Sequence, residues 1–188
     1  MKTPIAALAL AALLTGCSFS LPLVGPSETV RYYVLTGPEP VQKKLSAERI
    51  GIMPVTLPEY LVRPQLVTRK SDGVGITVHD FDRWGEELDS GISRIVCDAL
   101  AAKGLSAVPL RTGVRVDSRL TLDLRRFDGR LGDDIILDAV WSYQPAKDSA
   151  RAGRIVKTRH AGHSLKSMVE AQSKLIQELA RDIAKELK

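Results

Sequence analysis

The chain has 188 residues, of which 44% are hydrophobic and 26% charged, and its formal net charge at pH 7 is +5. Since about a quarter of the residues in average globular proteins are charged, this composition excludes a disordered chain, a collagen and a coiled coil. Aromatic residues make up only 5%, so stacking platforms for nucleic acids are scarce. The length predicts one domain with an aliphatic core.

The first sixteen residues have the features of a bacterial lipoprotein signal peptide. Lys2 supplies a positive charge, residues 5–14 form an unbroken apolar run, and a small-residue cleavage site ends at Cys17. This run is about half as long as the roughly 20 residues of a membrane-spanning helix. A buried N-terminal helix would leave Lys2 and the Gly16-Cys17 pair unexplained. We therefore predict a signal peptide over residues 1–16 and lipid attachment at Cys17.

Residues 17–29 are predicted to be the lipidated cysteine and a tether, because they mix Pro, Gly and Ser without a hydrophobic period. At about 3.1 Å per residue, the part after Cys17 reaches at most about 37 Å, which keeps the domain near its membrane. Ser18 stands where an aspartate favours inner-membrane retention in similar lipoproteins. This predicts the periplasmic face of the outer membrane, where nucleic acid is not an expected partner.

The two cysteines leave no internal disulfide once Cys17 carries lipid. Cys97 is then predicted to be a small, partly buried apolar residue. The alternative is a reactive thiol, which would need a cationic neighbour or a helix N-terminus. No base or second thiol lies near Cys97 in the sequence, so the buried residue is favoured.

The first half of the chain alternates short strands with proline-rich segments. Strands are predicted at residues 30–35, 48–55, 65–68 and 74–78, and prolines at 54, 58 and 64 predict a fixed, non-helical connection. A helix capped by Asp80 or Asp82 is predicted from about Arg83 to Lys103, where Gly104 ends it. Residues 105–108 are predicted to return to the sheet.

The clearest predicted strand covers residues 114–125, in which apolar and polar side chains alternate. Alternation of this kind gives one dry and one wet face. The alternation of apolar and polar side chains breaks at Arg126, so Phe127 falls on the wet face unless a bulge intervenes. A turn at residues 128–133 leads into a partner strand over residues 134–144.

This partner strand is apolar on both faces. If Ile135 and Leu137 join the dry face, Ile136 and Val140 share the wet face with charged residues. A strand that is apolar on both faces is usually covered on both. Phe127, Ile136 and Val140 are therefore candidate interface residues, covered either by another subunit or by the C-terminal segment of the same chain.

The C-terminal region is predicted to contain a strand over residues 154–161 and a final helix capped by Ser164 or Ser167. Ser167 and Glu170 have the spacing of a capping box. Both signs of charge lie opposite the apolar stripe of this helix, which favours packing on the sheet over binding to a membrane surface. The predicted fold is α+β over residues 30–188, one largely antiparallel mixed sheet with two long amphipathic helices packed on it.

The sequence predicts no enzyme, no cofactor and no metal site. It contains no nucleophile elbow, phosphate-binding loop or zinc-binding His-Glu-x-x-His motif. His160 and His163 fall at a strand end and before a helix, which favours surface histidines over zinc ligands. Asp133 and Asp134 fall in the hairpin turn, where a solvated tip is expected.

Three stretches of the chain form a recognisable pattern. Tyr32-Tyr33-Val34-Leu35 follows the predicted signal peptide, residues 50–69 read IGIMPVTLPEYLVRPQLVTR, and residues 82–88 read DRWGEEL. From about Tyr32 to the end of the last helix, the chain resembles the ABC-type transport auxiliary lipoproteins of the PqiC/YmbA family. The Leu-Pro-Glu-Tyr-Leu-x-Arg-Pro-Gln run is the most specific part. Glu87 departs from relatives, which often place a proline there.

The resemblance implies a non-enzymatic outer-membrane lipoprotein that accompanies MCE-domain proteins in lipid transport across the periplasm and helps maintain the envelope. It also implies a homo-oligomeric ring that docks the end of an MCE tube and carries neither ATPase nor permease. A competing function is that of a stand-alone structural or assembly lipoprotein for lipopolysaccharide insertion or an outer-membrane barrel.

The proline-bounded segment is a second candidate contact surface. Its residues are expected to form a rigid exposed edge against the partner or a neighbouring subunit: Pro58, Glu59, Tyr60, Arg63 and Pro64. The alternative is a loop packed against its own sheet.

Overall fold

The computed structural model describes residues 28–40, 42–110 and 114–187, and the mixed α+β class is confirmed. Within these ranges the chain forms eight strands, two α-helices and a 3-10 turn at Glu59–Leu61. The elements are β1 Arg31–Tyr33, β2 Arg49–Ile52, β3 Gln65–Arg69, β4 Ile76–Trp84, α1 Leu88–Ala101, β5 Ser106–Pro109, β6 Ser118–Gly129, β7 Asp134–Gln144, β8 Arg151–His160 and α2 Leu165–Glu186.

The strands divide between two sheets, so the prediction of one sheet is wrong. The larger sheet has the order β5-β2-β6-β7-β8, in which β2 runs parallel to β5 and β6 and the β6-β7-β8 part is antiparallel. The smaller sheet has the order β1-β4-β3, with β4 parallel to β1 and antiparallel to β3. Because β4 has a partner on each side, its backbone is not available to the larger sheet.

Helix α1 begins at Leu88, later than the predicted start near Arg83. Arg83 and Trp84 belong to β4, in which Asp82 and Trp84 are buried, and residues 85–87 connect this strand to the helix. Glu87 is the N-cap residue, and its side chain makes no capping hydrogen bond. The predicted caps Asp80 and Asp82 are therefore wrong, since both lie in the preceding strand.

A β-bulge in β6 shifts the alternation of inward and outward side chains by one residue. Leu124 pairs with Ala139 and Arg126 pairs with Asp138, so Arg125 is the extra residue of a bulge. Phe127 therefore shares the face of Leu124 and is fully buried. The bulge that the sequence analysis allowed for is thus present and removes Phe127 from the wet face, so the assignment of this enclosed side chain to the candidate interface is wrong.

Helix α2 covers the face of the larger sheet that carries Phe127. Gln172 Nε2 donates to the Phe127 carbonyl oxygen at 3.0 Å. Lys157 of β8, which lies opposite Leu137 in the register, pairs with Asp182 of α2 at 2.6 Å. Leu137 and Phe127 both face this helix, so α2 does not cover Ile136 and Val140 on the other side. The C-terminal helix is thereby excluded as their cover.

Ser164 caps α2, which confirms one of the two predicted cap residues. Its hydroxyl oxygen accepts a hydrogen bond from the Ser167 N–H at 3.1 Å, and the Ser164 N–H donates to Ser167 Oγ at 3.3 Å. The capping box thus joins Ser164 to Ser167, and the predicted box between Ser167 and Glu170 is wrong. The reason is that the helix begins at Leu165, which makes Ser167 its third residue.

Candidate docking surfaces

The proline-bounded segment has its backbone fixed at both ends. Pro58, with a φ of −57°, precedes the 3-10 turn, and its carbonyl oxygen accepts a hydrogen bond from the Leu61 N–H at 2.8 Å. The Pro64 carbonyl oxygen accepts from the Trp84 N–H at 2.7 Å, and the Leu61 side chain is buried. Since proline also restricts φ, the segment is held in one shape.

Tyr60 and Arg69 converge on Asp128, a carboxylate of β6 that is 1% exposed. The Tyr60 hydroxyl and Arg69 Nη2 each donate to Asp128 Oδ2 at 2.6 Å. Arg69 Nε and Arg126 Nε donate to Oδ1 at 3.0 and 2.9 Å. The Arg69 guanidinium also lies 5.5 Å from the centroid of the Tyr60 ring, within the range of a cation–π contact. We call Tyr60, Arg69, Arg126 and Asp128 the inter-sheet clamp.

The clamp stabilises the charged form of its carboxylate. Burial raises the pKa of Asp128, but the hydrogen bonds from Arg69, Tyr60 and Arg126 outweigh burial and leave that pKa below its usual range. Burial, followed by the hydrogen bond to Asp128, raises the pKa of Tyr60 to about 12. Near neutral pH, Tyr60 therefore remains a protonated donor and Asp128 an ionised acceptor.

The clamp divides the side chains of the proline-bounded segment into an inward and an outward set. Tyr60 packs against its own fold, whereas Glu59, Arg63 and Pro64 are exposed and Pro58 is half-buried. Arg69 and Asp128 were missed by sequence reasoning, which placed Asp128 in the hairpin turn although β6 extends through Gly129. Arg69 could have been singled out from the sequence, because it is the final residue of the stretch over residues 50–69 that carries the family resemblance.

A groove of about 610 Å³ lies between the exposed edge and the start of α1. Its apolar walls include Leu57, Leu61, Trp84 and Leu88. Val62, which is 61% exposed, and Arg63 border one side, and acidic residues border the other. The groove therefore combines apolar walls with charged lining residues of both signs.

A second surface lies on the face of the larger sheet opposite the helices. Ile136 and Val140 of β7 are half-buried there, on either side of Asp138. Val156 of β8 pairs with Asp138 in the register and is 56% exposed. Arg154 Nε and Nη2 donate to the two oxygens of Asp138 at 2.8 and 2.6 Å. An ion pair thus crosses a small apolar patch.

Asp82 is a second buried carboxylate that ties strands together. Arg31 Nε and Nη2 donate to its two oxygens at 2.7 Å each, and the Tyr33 hydroxyl donates to Oδ1 at 2.9 Å. These hydrogen bonds, with that from Arg31 largest, hold the pKa of Asp82 below its usual range. Asp82 thus fastens β1 to β4. Sequence reasoning missed this role because it assigned the residue to a helix cap.

Cys97 is buried in α1, as predicted, and is 8% exposed. Burial, assisted by the charge of Asp98, raises the pKa of its thiol to about 12. The thiolate, which is the reactive form of cysteine, is therefore strongly disfavoured. Cys17 lies outside the described residues, so lipid attachment there remains a prediction.

Metal-binding clusters and membrane-spanning helices are absent from the described parts of the chain. Among these residues, His, Cys, Asp and Glu side chains do not gather in groups of three or more with the geometry to hold a metal ion. No helix in the same ranges combines the length and apolar character needed to cross a membrane.

Comparison with known structures shows the same fold in proteins of low sequence identity. A solved structure of an uncharacterised protein superposes with a TM-score of 0.72 at 18% identity, covering 86% of this chain and 100% of the other. A DUF330-family protein from Xanthomonas campestris has a TM-score of 0.61 at 12% identity, covering 84% and 93% of the two chains. Curated protein sequences yield no match.

A family model places the chain more specifically. The model of the ABC-type transport auxiliary lipoprotein component matches residues 33–184, which include every strand after β1 and most of α2. The resemblance drawn from three short stretches is thereby confirmed, and the family is one of auxiliary transport components rather than a known enzyme family. The chain belongs to the ABC-type transport auxiliary lipoprotein family.

Proposed function

We propose that the protein is an outer-membrane lipoprotein, anchored through Cys17 and facing the periplasm, that serves as a docking subunit for an MCE-type lipid transporter. In this proposal several copies assemble into a homo-oligomer that holds the end of the MCE protein near the outer membrane. The work of the domain is positioning, so it requires a rigid surface and no nucleophile or cofactor.

The observation that carries the proposal is the structure of the run that most resembles the family. Its inward side chains, Tyr60 and Leu61, bind the fold through the inter-sheet clamp and the core. Its outward side chains form an exposed row beside the groove, which we call the docking rim: Glu59, Val62, Arg63 and Pro64.

The rim has the physical properties of a contact surface. Its backbone is held before binding, so ordering it on contact costs little conformational entropy. Val62 offers an apolar contact and Arg63 a charged donor, and exposed apolar side chains beside a groove are typical of sites that bind other proteins. The partner of an auxiliary transport component is a transporter. The resemblance to the PqiC/YmbA family makes an MCE protein the occupant that we propose.

Photocrosslinking in intact cells tests the docking rim. A benzophenone amino acid replaces Arg63 in the full-length protein, and the matched control carries it at Val74, an exposed position in the β3–β4 turn. We expect the probe at Arg63, and not the probe at Val74, to capture an MCE-domain protein or another copy of this chain. Equal capture at both positions, or none at Arg63, contradicts the proposal. Capture of an outer-membrane barrel or lipopolysaccharide-assembly protein favours the competing function.

The membrane anchor is tested separately. Globomycin, which blocks lipoprotein signal peptidase, should make an unprocessed precursor accumulate, and the mature protein should sediment with outer-membrane fractions. The Cys17→Ser variant should remain unacylated and leave those fractions. Normal processing in globomycin, or recovery of the wild type in the cytosol, contradicts the anchor whatever the result at Arg63.

A further inference from the structure

We propose that the outer face of the smaller sheet lies against the phospholipid headgroups of the membrane that anchors the chain. This face is the membrane-facing patch, formed by Tyr32, Val34 and Phe81. The inference rests on the proposed acyl anchor at Cys17 and adds an orientation of the domain that the anchor alone does not determine.

Tyr32 and Val34 occupy one side of the sheet, and Phe81 lies in the neighbouring strand β4. Tyr32 pairs with Arg83 in the register of β1 and β4, and Phe81 precedes Arg83 by two positions. A Cβ atom placed on Gly85 would lie 3.0 Å from Val34 Cγ2 and 4.0 Å from Tyr32 Cβ, so these two side chains are on the same side. The patch therefore combines residues of two hydrogen-bonded strands.

Only two residues of the Tyr32-Tyr33-Val34-Leu35 stretch have side chains that contact the interior of the domain. Tyr33 donates its hydroxyl hydrogen to Asp82, and Leu35 is 2% exposed in the core. Tyr32 and Val34 point outward with 67% and 49% of their surface exposed. Phe81, two positions before Arg83, is 40% exposed. Large apolar side chains that gather on the surface in this way are characteristic of an interaction site.

The position of the patch in the chain keeps it close to the anchoring membrane. β1 is the first strand that the described chain enters after the predicted anchor. Residues 18–31 connect Cys17 to Tyr32 and, at no more than about 3.6 Å per residue, span at most about 50 Å. An acyl anchor on this short connection keeps the patch at a high local concentration beside the bilayer, so weak contacts are sufficient to orient it.

The chemistry of the patch also fits a lipid surface. Tyrosine is enriched at membrane–water interfaces, because its ring is apolar and its hydroxyl remains hydrated. Arg83, which pairs with Tyr32 in the register of β1 and β4, supplies the cation beside the patch. Arginine side chains that flank an apolar surface reach lipid phosphates while their stems stay in the apolar layer.

Quenching by brominated lipids tests the orientation. The mature acylated protein is purified from membranes and reconstituted in phosphatidylethanolamine–phosphatidylglycerol vesicles, with and without bromine on the acyl chains. Tyr32→Trp and Phe81→Trp each place an indole in the patch. Lys166→Trp is the matched control, an exposed residue at the start of α2 whose side chain is 81% exposed. The unsubstituted protein gives the background from the buried Trp84 and Trp141.

We expect brominated lipid to reduce the emission of the indoles at 32 and 81, and both indoles to be blue-shifted in vesicles. The indole at 166 should show neither effect. Unquenched emission at 32 and 81 from protein that floats with the vesicles overturns the inference and leaves the anchor intact. Equal quenching at all three positions also overturns it, because the domain then has no preferred face. If the protein does not float with the vesicles, the acyl anchor is contradicted, and so is the inference that rests on it.

Discussion

Arg69 Nη2 lies 2.6 Å from Asp128 Oδ2, and this pair joins β3 of the smaller sheet to β6 of the larger one. Asp128 is 1% exposed, so its charge depends on protein donors instead of water. Tyr60, in the segment before β3, donates to the same oxygen. The Asp128 carboxylate therefore links the two sheets and helps to hold the docking rim in place.

Removing the carboxylate should be the most damaging single change in the clamp. Asp128→Ala leaves Arg69 partly buried without its counter-ion, and breaking a buried ion pair in this way costs about 3–5 kcal/mol. Urea unfolding followed by circular dichroism should show this loss in the free energy of unfolding. The matched control is Asp134→Ala, which removes a carboxylate that is 54% exposed and should change stability by less than about 1 kcal/mol. Equal effects of the two substitutions would argue against the clamp.

The Tyr60 hydroxyl should contribute separately from the ring. Tyr60→Phe keeps the packing but removes a hydrogen bond to a charged group, which is worth about 1.5–3 kcal/mol. Tyr32→Phe makes the same chemical change at an exposed position and should leave the unfolding free energy unchanged. The same Tyr60→Phe substitution should weaken crosslinking from Arg63, because the docking rim loses one of its supports. A stable Tyr60→Phe variant would show that the ring alone holds the rim.

Acid should destabilise the protein through its two buried carboxylates. The folded-state pKa values of Asp128 and Asp82 are lowered below the value of about 3.9 that an unfolded aspartate shows. Their contribution to stability is therefore complete above that value and is lost as pH falls through the folded-state pKa values. Thermal melting should show a declining Tm below about pH 4, with a smaller decline in Asp128→Asn. An unchanged acid profile in Asp128→Asn would exclude a role for this carboxylate.

Thiol counting tests Cys17 and Cys97 together. In the mature protein, Cys17 should be a thioether and Cys97 a buried thiol whose pKa is raised to about 12. A thiol reagent at mildly alkaline pH should therefore find no reactive group in the folded protein and a single thiol after unfolding. Cys97→Ser should abolish that reaction. A second thiol in the unfolded mature protein would contradict lipidation at Cys17.

The patch around Ile136 and Val140 is predicted to contribute to self-association. Val140→Arg places a cation on the half-buried face near Arg154, where it should repel a neighbouring subunit. Light scattering on the delipidated protein should report a lower mass than for the wild type. Ser142→Arg is the control, because Ser142 is an exposed residue farther along the same strand face. An unchanged mass in Val140→Arg would remove this surface from the interface.

The sequence by itself determined the order and kind of nearly all elements. Alternating side chains located the strands of the β6–β7 hairpin, and the apolar stripe with its serine cap located α2. These features are readable because strand and helix periodicities are properties of neighbouring residues. The three stretches that carry the resemblance were also sufficient to identify the family.

Only the tertiary structure decided how these elements combine. The two-sheet division depends on which strands pair with β4, and the bulge at Arg125 that buries Phe127 depends on the register with β7. The clamp joins Arg69 to Asp128 across a separation of 59 residues. Local sequence patterns indicate which face of a strand is buried. They do not indicate which distant side chain pairs with a buried charged residue, because that partner depends on the packing of the whole domain.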